Sequence, residues 1–575
     1  KQLNEIISEI RLINSKIAAY IEEIVNNARV LTTTLAMFAV RDLIFNFSFD
    51  SVIIDEASMA SFPNVLATGA CTKKRISMFG DFRQLPPICS LQNECAQKWL
   101  ARDLFDIAGI KNKIDLGMND PRVTMLDIQY RMVSEIAAVV NHFAYSGRLK
   151  NGNPDRSNQS FNVRNFPPAE NNAVVLLDIS NLRSACMKKP GENSHSRYNP
   201  LSIALTSCLA LKASKLGLKN MAVINPYKYH SFITSRLFSD IPRLKGVLAA
   251  TVHKSQGSEK DCIFFDLTDA WPLDEASMLT GKKSDKALRM INVAISRARG
   301  KLVFIADCDS VKNRPIIDRL IDLLHEYGTV LKPSPDDLHA LVGNKPFSWL
   351  SDWNSTQKSL IEDLENLKCP VAISLPKGFA ISPELNDALA RHDRNGFAVK
   401  IFRHPLDRNS LANPGKFDST KKGHKAWFWA WLRQKKLYIG SYSTDGAFCL
   451  ISDFKLMKSF VQPVTGLRYA KQILSVEQIR QLNHIFGTCP NCHAQRKPLH
   501  DNKLIKLTCG KNNNCPEVGI SLEQLESAIR ILDVPCKKCE SQAVAKMRKN
   551  NTAYMSCPNF NKDCDGWPYY LTDCL

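Results

Sequence analysis

Six short apolar runs, SVIID, RISMFG, AVVLLDI, MAVINP, CIFFDL and KLVFIAD, lie between residues 51 and 307 and alternate with stretches of helical character. Runs that are apolar throughout, rather than at every second residue, suit strands covered on both faces. Their alternation with helices predicts an α/β fold with a mainly parallel sheet. Ahead of them Leu3, Ile6, Ile10, Ile13, Ile17, Ile21 and Ile24 recur every three or four residues, the period of one long amphipathic helix. Asn151 to Asn172, rich in Asn, Pro and Ser, reads as a surface loop, and LKPSPDD at Leu331 to Asp337 as a linker.

The first run ends in two adjacent carboxylates, Asp55 and Glu56, the form of a Walker B strand. Such a pair divides the work of a nucleotide hydrolase: Asp55 would hold Mg(II) on the β and γ phosphates, and Glu56 would polarise the attacking water. The phosphate cradle that accompanies it, G-x-x-x-x-G-K-[ST], does not occur. Gly-Lys pairs stand at Gly281, Gly300, Gly415 and Gly510, none in that pattern.

With 575 residues the chain has room for roughly three or four domains. No run approaches the ~18 apolar residues of a membrane span, and the charged N-terminus has no signal-peptide core. We therefore expect a cytoplasmic protein without a membrane partner. The formal charge is +20, and residues 341–480 are the most basic part, with 21 Lys+Arg against 12 Asp+Glu. A surplus of that size favours polyanionic partners.

Eight of the 18 cysteines fall near the C-terminus in two sets, Cys489, Cys492, Cys509, Cys515 and Cys536, Cys539, Cys557, Cys564. Each set opens with C-x2-C and closes with a second pair, the spacing that lets two knuckles surround one tetrahedral Zn(II). A disulfide framework is the rival reading, but nothing in the chain points to secretion. Two zinc ions and two small zinc ribbons are the expectation.

Further motifs follow the acidic pair in a fixed order: GDFRQLPP (Gly80 to Pro87), LDIQYRM (Leu126 to Met132), VINPY (Val223 to Tyr227), TVHKSQGSEKD (Thr251 to Asp261) and INVAISRARG (Ile291 to Gly300). Together with DEAS they resemble superfamily 1B helicases, in the branch of the nonsense-mediated-decay helicases and the replication helicase-nucleases; HKSQGSE resembles the RecD form of motif V. The resemblance covers about residues 28–330. It implies two RecA-like P-loop NTPase domains, ATP and Mg in the cleft between them, and 5′ to 3′ movement on a single strand of DNA or RNA.

Position by position, the resemblance makes Gln84 the γ-phosphate sensor and Arg131 and Arg297 arginine fingers, a task suited to planar guanidinium groups. Gly257, Glu259 and Arg299 fall where the family places nucleotide-proximal residues, with Glu259 toward ribose, and Tyr227 where it places nucleotide-proximal or strand-proximal ones. Thr34, Pro226 and Thr251 fall at strand contacts. In this family the Walker A loop precedes motif II by a long interval containing a helical stalk. The Leu3 to Ile24 helix is similar to the end of that stalk, so the first RecA-like domain is expected to be truncated and the chain to be the C-terminal part of a larger motor.

The block that follows carries VAISLP, PELNDALARHDRNG and AVKIF, read as strand, helix and strand, then GHKAWFWAWLRQKKLYIGSYS. It resembles half of a phospholipase D-like nuclease domain. His424 is followed by Lys425 and Ala426, which puts the Lys out of register with H-x-K, while Gly440 and Ser441 remain. A degenerate, binding-only domain is expected. Lys421, Lys422, Lys425 and Trp427 also fit a single-strand surface of cations interleaved with aromatic faces. Against that, Trp427 and Trp431 are four apart, the spacing of a helical core face.

The expected order is a stalk helix (1–27), the C-terminal part of RecA-like domain 1 (28–122), RecA-like domain 2 (123–332), a linker (333–345), an α/β phospholipase D-like basic domain (346–480) and zinc ribbons of topoisomerase type at 485–520 and 530–575. Such a combination resembles bacterial defence proteins of the Mokosh or related type, and the ribbons could also take protein partners. The competing function is a non-motor nucleic-acid-binding scaffold.

Overall fold

The computed structural model describes the chain except for residues 1, 92, 153–161, 183, 190–195, 272, 274–278, 280–283, 344–346, 377–380, 405–424, 444–445, 454–459, 462–463, 466–473, 475, 502–503, 510–513, 537–540, 549, 561–563, 565 and 572–575. It forms two compact units. One comprises residues 1–130, 140–153 and 283–296, the other residues 131–139, 154–282 and 297–575.

In the first unit the expected amphipathic helix is α1, Gln2–Asn27. Its apolar stripe is not covered: the seven residues from Leu3 to Ile24 are 48–69% exposed. Strands β1 (Phe49–Ile54) and β2 (Thr72–Met78) pair in parallel, Val52 opposite Ile76. Ile54, Ala57, Ala60 and Val65 form the core beneath them.

A six-stranded, wholly parallel sheet centres the second unit. It is built from β3 (Val174–Asp178), β4 (Met221–Asn225), β5 (Leu248–Thr251), β6 (Lys260–Asp266), β7 (Ala298–Ala306) and β8 (Thr329–Leu331) in the order β8-β3-β7-β6-β4-β5. Every residue of β3 and β4 is buried, as the unbroken apolar runs require of strands covered on both faces. Helices α2 (Pro200–Lys215) and α3 (Lys228–Asp240) supply Leu205, Leu209, Ile233 and Leu237 to the core.

The Asn151–Asn172 segment departs from the surface loop expected of it. Val163 is buried, and the Lys301 ammonium of β7 donates to the carbonyl oxygens of Arg164, Phe166 and Ala169 at 2.9, 2.5 and 3.0 Å. Composition marked this stretch as polar, but a buried cation gives three main-chain carbonyls partners that would otherwise have to be water. In the 333–345 segment Leu338 and Val342 are buried in the main core of the same unit.

A second six-stranded sheet follows. Its strands are β9 (Phe347–Leu350), β10 (Val371–Pro376), β11 (Val399–His404), β12 (Lys425–Leu432), β13 (Lys436–Ser443) and β14 (Gly446–Asp453), ordered β9-β14-β13-β12-β10-β11. The strand, helix and strand read in sequence are β10, α5 (Pro383–Arg394) and β11, with the two strands parallel. The tryptophans correct the helical-spacing reading, because Trp427, Trp429 and Trp431 lie on strand β12. Alternation sends successive side chains to opposite faces, and both faces here are covered. Trp431, with Leu437 and Ile439, joins the main core; Phe428, Ala430 and Leu432 pack with Leu360 and Leu364 of α4 (Trp353–Asn366) and with Leu385 and Leu389 of α5. The fourfold spacing is an accident of a two-faced aromatic strand, although the core placement of Trp431 stands at 0% exposure.

At the C-terminus, α6 (Val476–Phe486), hairpin β15–β16 (Arg496–Asp501 and Leu504–Cys509), α7 (Leu522–Leu532) and hairpin β17–β18 (Val544–Met547 and Ala553–Ser556) share one core. Leu482, Ile505, Leu525, Ile529, Ala553 and Leu571 meet in it.

Candidate nucleotide and nucleic-acid sites

Strand β1 delivers Asp55 and Glu56 to its C-terminal end. Asp55 is exposed, and its Oδ1 accepts from the Glu56 N–H at 2.9 Å. Glu56 has φ 50° and ψ 39°, a left-handed conformation uncommon for a residue with a side chain and concentrated at functional turns. The turn is held from the GDFRQLPP loop. A Cβ on Gly80 would stand 2.9 Å from Ser58 N and 3.1 Å from Ala57 N, so only glycine lets the two loops meet. An exposed carboxylate at a strand end fits a Mg(II) ligand, and Asp55 is the residue that would hold it.

Gln84 is positioned by neighbours the sequence reading passed over. Its Nε2 donates to Asp81 Oδ2 at 3.0 Å and its backbone N–H to the Asp81 carbonyl. Tyr145 Oη donates to the same Asp81 oxygen, and Asn292 Nδ2 reaches both Tyr145 Oη and the Arg83 carbonyl at 3.0 Å. Asp81 and Asn292 lie inside motifs already picked out; Tyr145 lies in none, and only folding brings it there.

Arg131, Arg297, Glu259, Gly257 and Arg299 belong to the second unit. Arg131 Nε lies 2.6 Å from Glu259 Oε1, each side chain a little over one third exposed. Arg297 is 2% exposed, and its carbonyl accepts from Lys260 N–H, joining the INVAISRARG stretch to β6. Arg299 stands 4.0 Å from Asp261, and its carbonyl accepts from Val133 N–H. Gly257 has φ 77° in open space, so the backbone conformation rather than room favours glycine.

In the same unit a groove of about 880 Å³ opens, lined among others by Lys188, Arg197, Pro226, Tyr227, Lys228, Phe232, Thr251 and Lys254. Three predicted site residues, Pro226, Tyr227 and Thr251, are thus brought together with four cations. Tyr227 is 3% exposed, and its hydroxyl is held by both oxygens of Asp269 at 2.7 and 3.0 Å. Arg197 donates to Asp269 at 2.9 Å. The two threonines part company. Thr34 Oγ1 accepts from Met37 N–H and caps the helix Leu35–Val40, whereas Thr251 precedes the helical turn Val252–Ser255 without capping it and lines the groove.

Lys421, Lys422 and His424 lie outside the described residues, and of Lys425 and Trp427 the backbone alone is described, at the start of β12. Ser441 on β13 is 2% exposed, and its Oγ has no hydrogen-bond partner among the described residues.

Cys489, Cys492, Cys509 and Cys515 gather with all four sulfurs within 4.8 Å of one another, Cys492 Sγ being 3.2 Å from Cys509 Sγ and 3.9 Å from Cys515 Sγ. Zinc at ~2.3 Å from four thiolates sets them ~3.8 Å apart, so the donor set fits. The N–H groups of Asn491 and Cys492 hold the Cys489 thiol below its usual range despite its burial, while the neighbouring thiol of Cys489 and burial push Cys515 up to about 12. A cation bound among thiols gathered this closely would displace their protons to solvent. In the second set Cys536, Cys557 and Cys564 are buried together, Cys536 and Cys564 Sγ being 3.7 Å apart; Cys539 lies outside the described residues.

A parallel sheet, an acidic strand end and motif-bearing loops together define an α/β fold of the RecA-like class. Residues 1–91 and 110–309 each match a family model described as an AAA domain. Among curated proteins the chain is 27% identical over 316 residues to "DNA replication ATP-dependent helicase/nuclease DNA2" of Gallus gallus, covering 55% of this chain and 28% of that protein. It is 26% identical over 285 residues to "DNA-binding protein SMUBP-2" of Mus musculus, covering 49% and 27%. A solved complex of Arterivirus nonstructural protein 10 (helicase) with DNA is 14% identical, covering 48% of this chain and 43% of that one at a TM-score of 0.23. The matched stretch of the chain is similar to these proteins, and it spans less than a third of their length.

Proposed function

We propose that this chain is part of an ATP-dependent, superfamily 1B nucleic-acid helicase that moves 5′ to 3′ along a single strand. The observation that carries the reading is the groove of the second unit, where Thr251 and Pro226 stand among Lys188, Arg197, Lys228 and Lys254. Lysine, arginine and threonine side chains are suited to phosphate contacts, and Thr251 and Pro226 also fall in the motifs read as strand contacts.

In this reading Asp55 holds Mg(II), Glu56 orients water, Gln84 senses the γ-phosphate, and Arg131 and Arg297 neutralise charge developing on it, with Glu259, Gly257 and Arg299 beside the nucleotide. The second sheet is a phospholipase D-like domain that binds without cleaving, and the cysteine sets are zinc ribbons. The combination supports a role in bacterial defence, and the ribbons offer a surface for protein partners.

The test is a titration of residues 1–575 with single-stranded DNA at several salt concentrations, with and without ATP. Affinity should fall steeply with salt, each displaced counterion adding ~0.7 to the slope of log K against log salt. ATP should change it little, because no G-x-x-x-x-G-K-[ST] occurs in these residues. Absent or salt-independent binding would instead favour a protein-interaction scaffold, and strong modulation by ATP would overturn the expected weakness of nucleotide binding.

A further inference from the structure

Helix α3 presents Lys228, Phe232, Ser235 and Arg236 to solvent at positions i, i+4, i+7 and i+8, one face of the helix. Its opposite face buries Ile233, Leu237 and Phe238. Lys228, Phe232 and Ser235 line the basic groove, so this face is a wall of it.

Of the groove's lining residues, Tyr227 and Phe232 carry carbocyclic rings, in opposite states. Tyr227 is 3% exposed with its hydroxyl bound to Asp269, so its ring faces have no room for a ligand. Phe232 is 45% exposed. A single exposed phenylalanine is unremarkable on a protein surface, but this one is backed. Its ring stacks at 15° on Tyr229, centroids 5.9 Å apart, and Tyr229 in turn meets Tyr198 edge-on at 5.3 Å. The Arg236 guanidinium lies 5.3 Å from the Phe232 centroid, and the Lys189 ammonium 5.7 Å from that of Tyr229. The result is a braced apolar ring at the edge of a cationic track, with a planar cation over it that can part from the ring to take a base between them.

We propose that Phe232 is a base-stacking residue: a nucleobase of a strand whose phosphates follow Lys228, Thr251 and Lys254 packs against the Phe232 ring, with the Arg236 guanidinium as the second planar surface. A phosphate track alone cannot tell a nucleic acid from another polyanion, whereas an aromatic face beside it selects chains that carry bases. Bracing by Tyr229 holds the ring in place before the strand arrives, which lowers the ordering cost of the contact. The proposal rests on the reading of the groove as a single-strand site.

Binding of the full chain is measured to an oligothymidylate of about 12 nucleotides, within the span such grooves cover, and to the same backbone with abasic sites throughout. Phe232→Ala should weaken oligothymidylate binding about 5- to 150-fold, the range for losing one base–aromatic stack. It should leave abasic-strand binding and the salt slope unchanged, and Phe232→Trp should keep the affinity. Lys254→Gln should weaken both strands and lower the salt slope by ~0.7. If Phe232→Ala binds oligothymidylate like the parent while Lys254→Gln is impaired on both strands, the stacking proposal is overturned and the groove reading stands. Equal losses on both strands from Phe232→Ala would also overturn it, by showing a merely structural role. If Lys254→Gln changes neither strand, the groove reading fails and the stacking proposal with it.

Discussion

Arg131 and Glu259, one assigned to the γ-phosphate and the other to ribose, hold each other at 2.6 Å between Nε and Oε1. With both side chains over a third exposed, the pair contributes less than about 1 kcal/mol to stability. Its interest lies in availability: the guanidinium proposed as a finger is engaged by the carboxylate of the neighbouring motif.

If Arg131 acts as a finger, Arg131→Ala should lower ATP turnover of the full-length protein by roughly 10³-fold or more. Arg131→Lys should not restore it, because a point charge does not replace the planar fork. The melting temperature of either variant should stay within a few degrees of the parent. Turnover that survives Arg131→Ala would remove the finger assignment.

Glu56→Gln tests the acidic pair. It removes the proposed water-orienting carboxylate while keeping Asp55, so turnover in the full-length protein should be abolished with ATP and strand binding retained. Unchanged turnover would refute the Walker B reading of SVIIDEAS.

Tyr145→Phe removes the hydroxyl that ties Asp81 to Asn292. A part-buried hydrogen bond contributes about 0.5–1.5 kcal/mol, so the first unit should lose stability of that order in a denaturant titration. Asp81 would keep its bonds from Gln84 and from the Arg83 N–H but lose the link through Tyr145 to Asn292. Stimulation of ATP turnover by single-stranded DNA should therefore drop further than basal turnover. Equal losses would leave Tyr145 a purely structural residue.

Metal analysis of the purified chain should find about two zinc ions, since each cysteine set supplies its own donors. The two hairpins share one core through α6 and α7. Chelation should accordingly broaden amide signals in both hairpins together. Fewer than one zinc per chain would end the ribbon reading.

Lys301 makes a prediction about alkaline pH. Burial depresses its folded pKa to about 8, against ~10.4 unfolded. Between these values the unfolded chain binds more protons than the folded one, so the Lys301 contribution to stability rises with pH from about 8 to about 10.4 and is lost as pH falls through 8. Lys301→Met removes that rise and leaves the Arg164, Phe166 and Ala169 carbonyls without their shared donor. Urea midpoints for parent and variant across this range should diverge as pH increases; parallel curves would contradict the assignment.

Periodicity and local chemistry are properties of neighbouring residues, and these the sequence determined by itself. Four of the six apolar runs became strands of the six-stranded parallel sheet because apolar side chains at every position suit burial on both faces, and the α1 stripe became a helix because its period is helical. Asp55, Glu56 and the first cysteine set were legible for the same reason: a strand end or a C-x2-C knuckle places its groups within a few residues. What the tertiary structure decided concerns groups far apart in the chain. Trp431 is a core residue of a strand, because the partners on its two faces come from β9 and β13 on one side and from α4 and α5 on the other. Lys301 is a peg for a loop more than 130 residues earlier. Tyr227 is locked by Asp269, 42 residues away, which leaves Phe232 as the ring exposed in the groove. Burial and hydrogen-bond satisfaction depend on which distant atoms arrive, and no local pattern records their arrival.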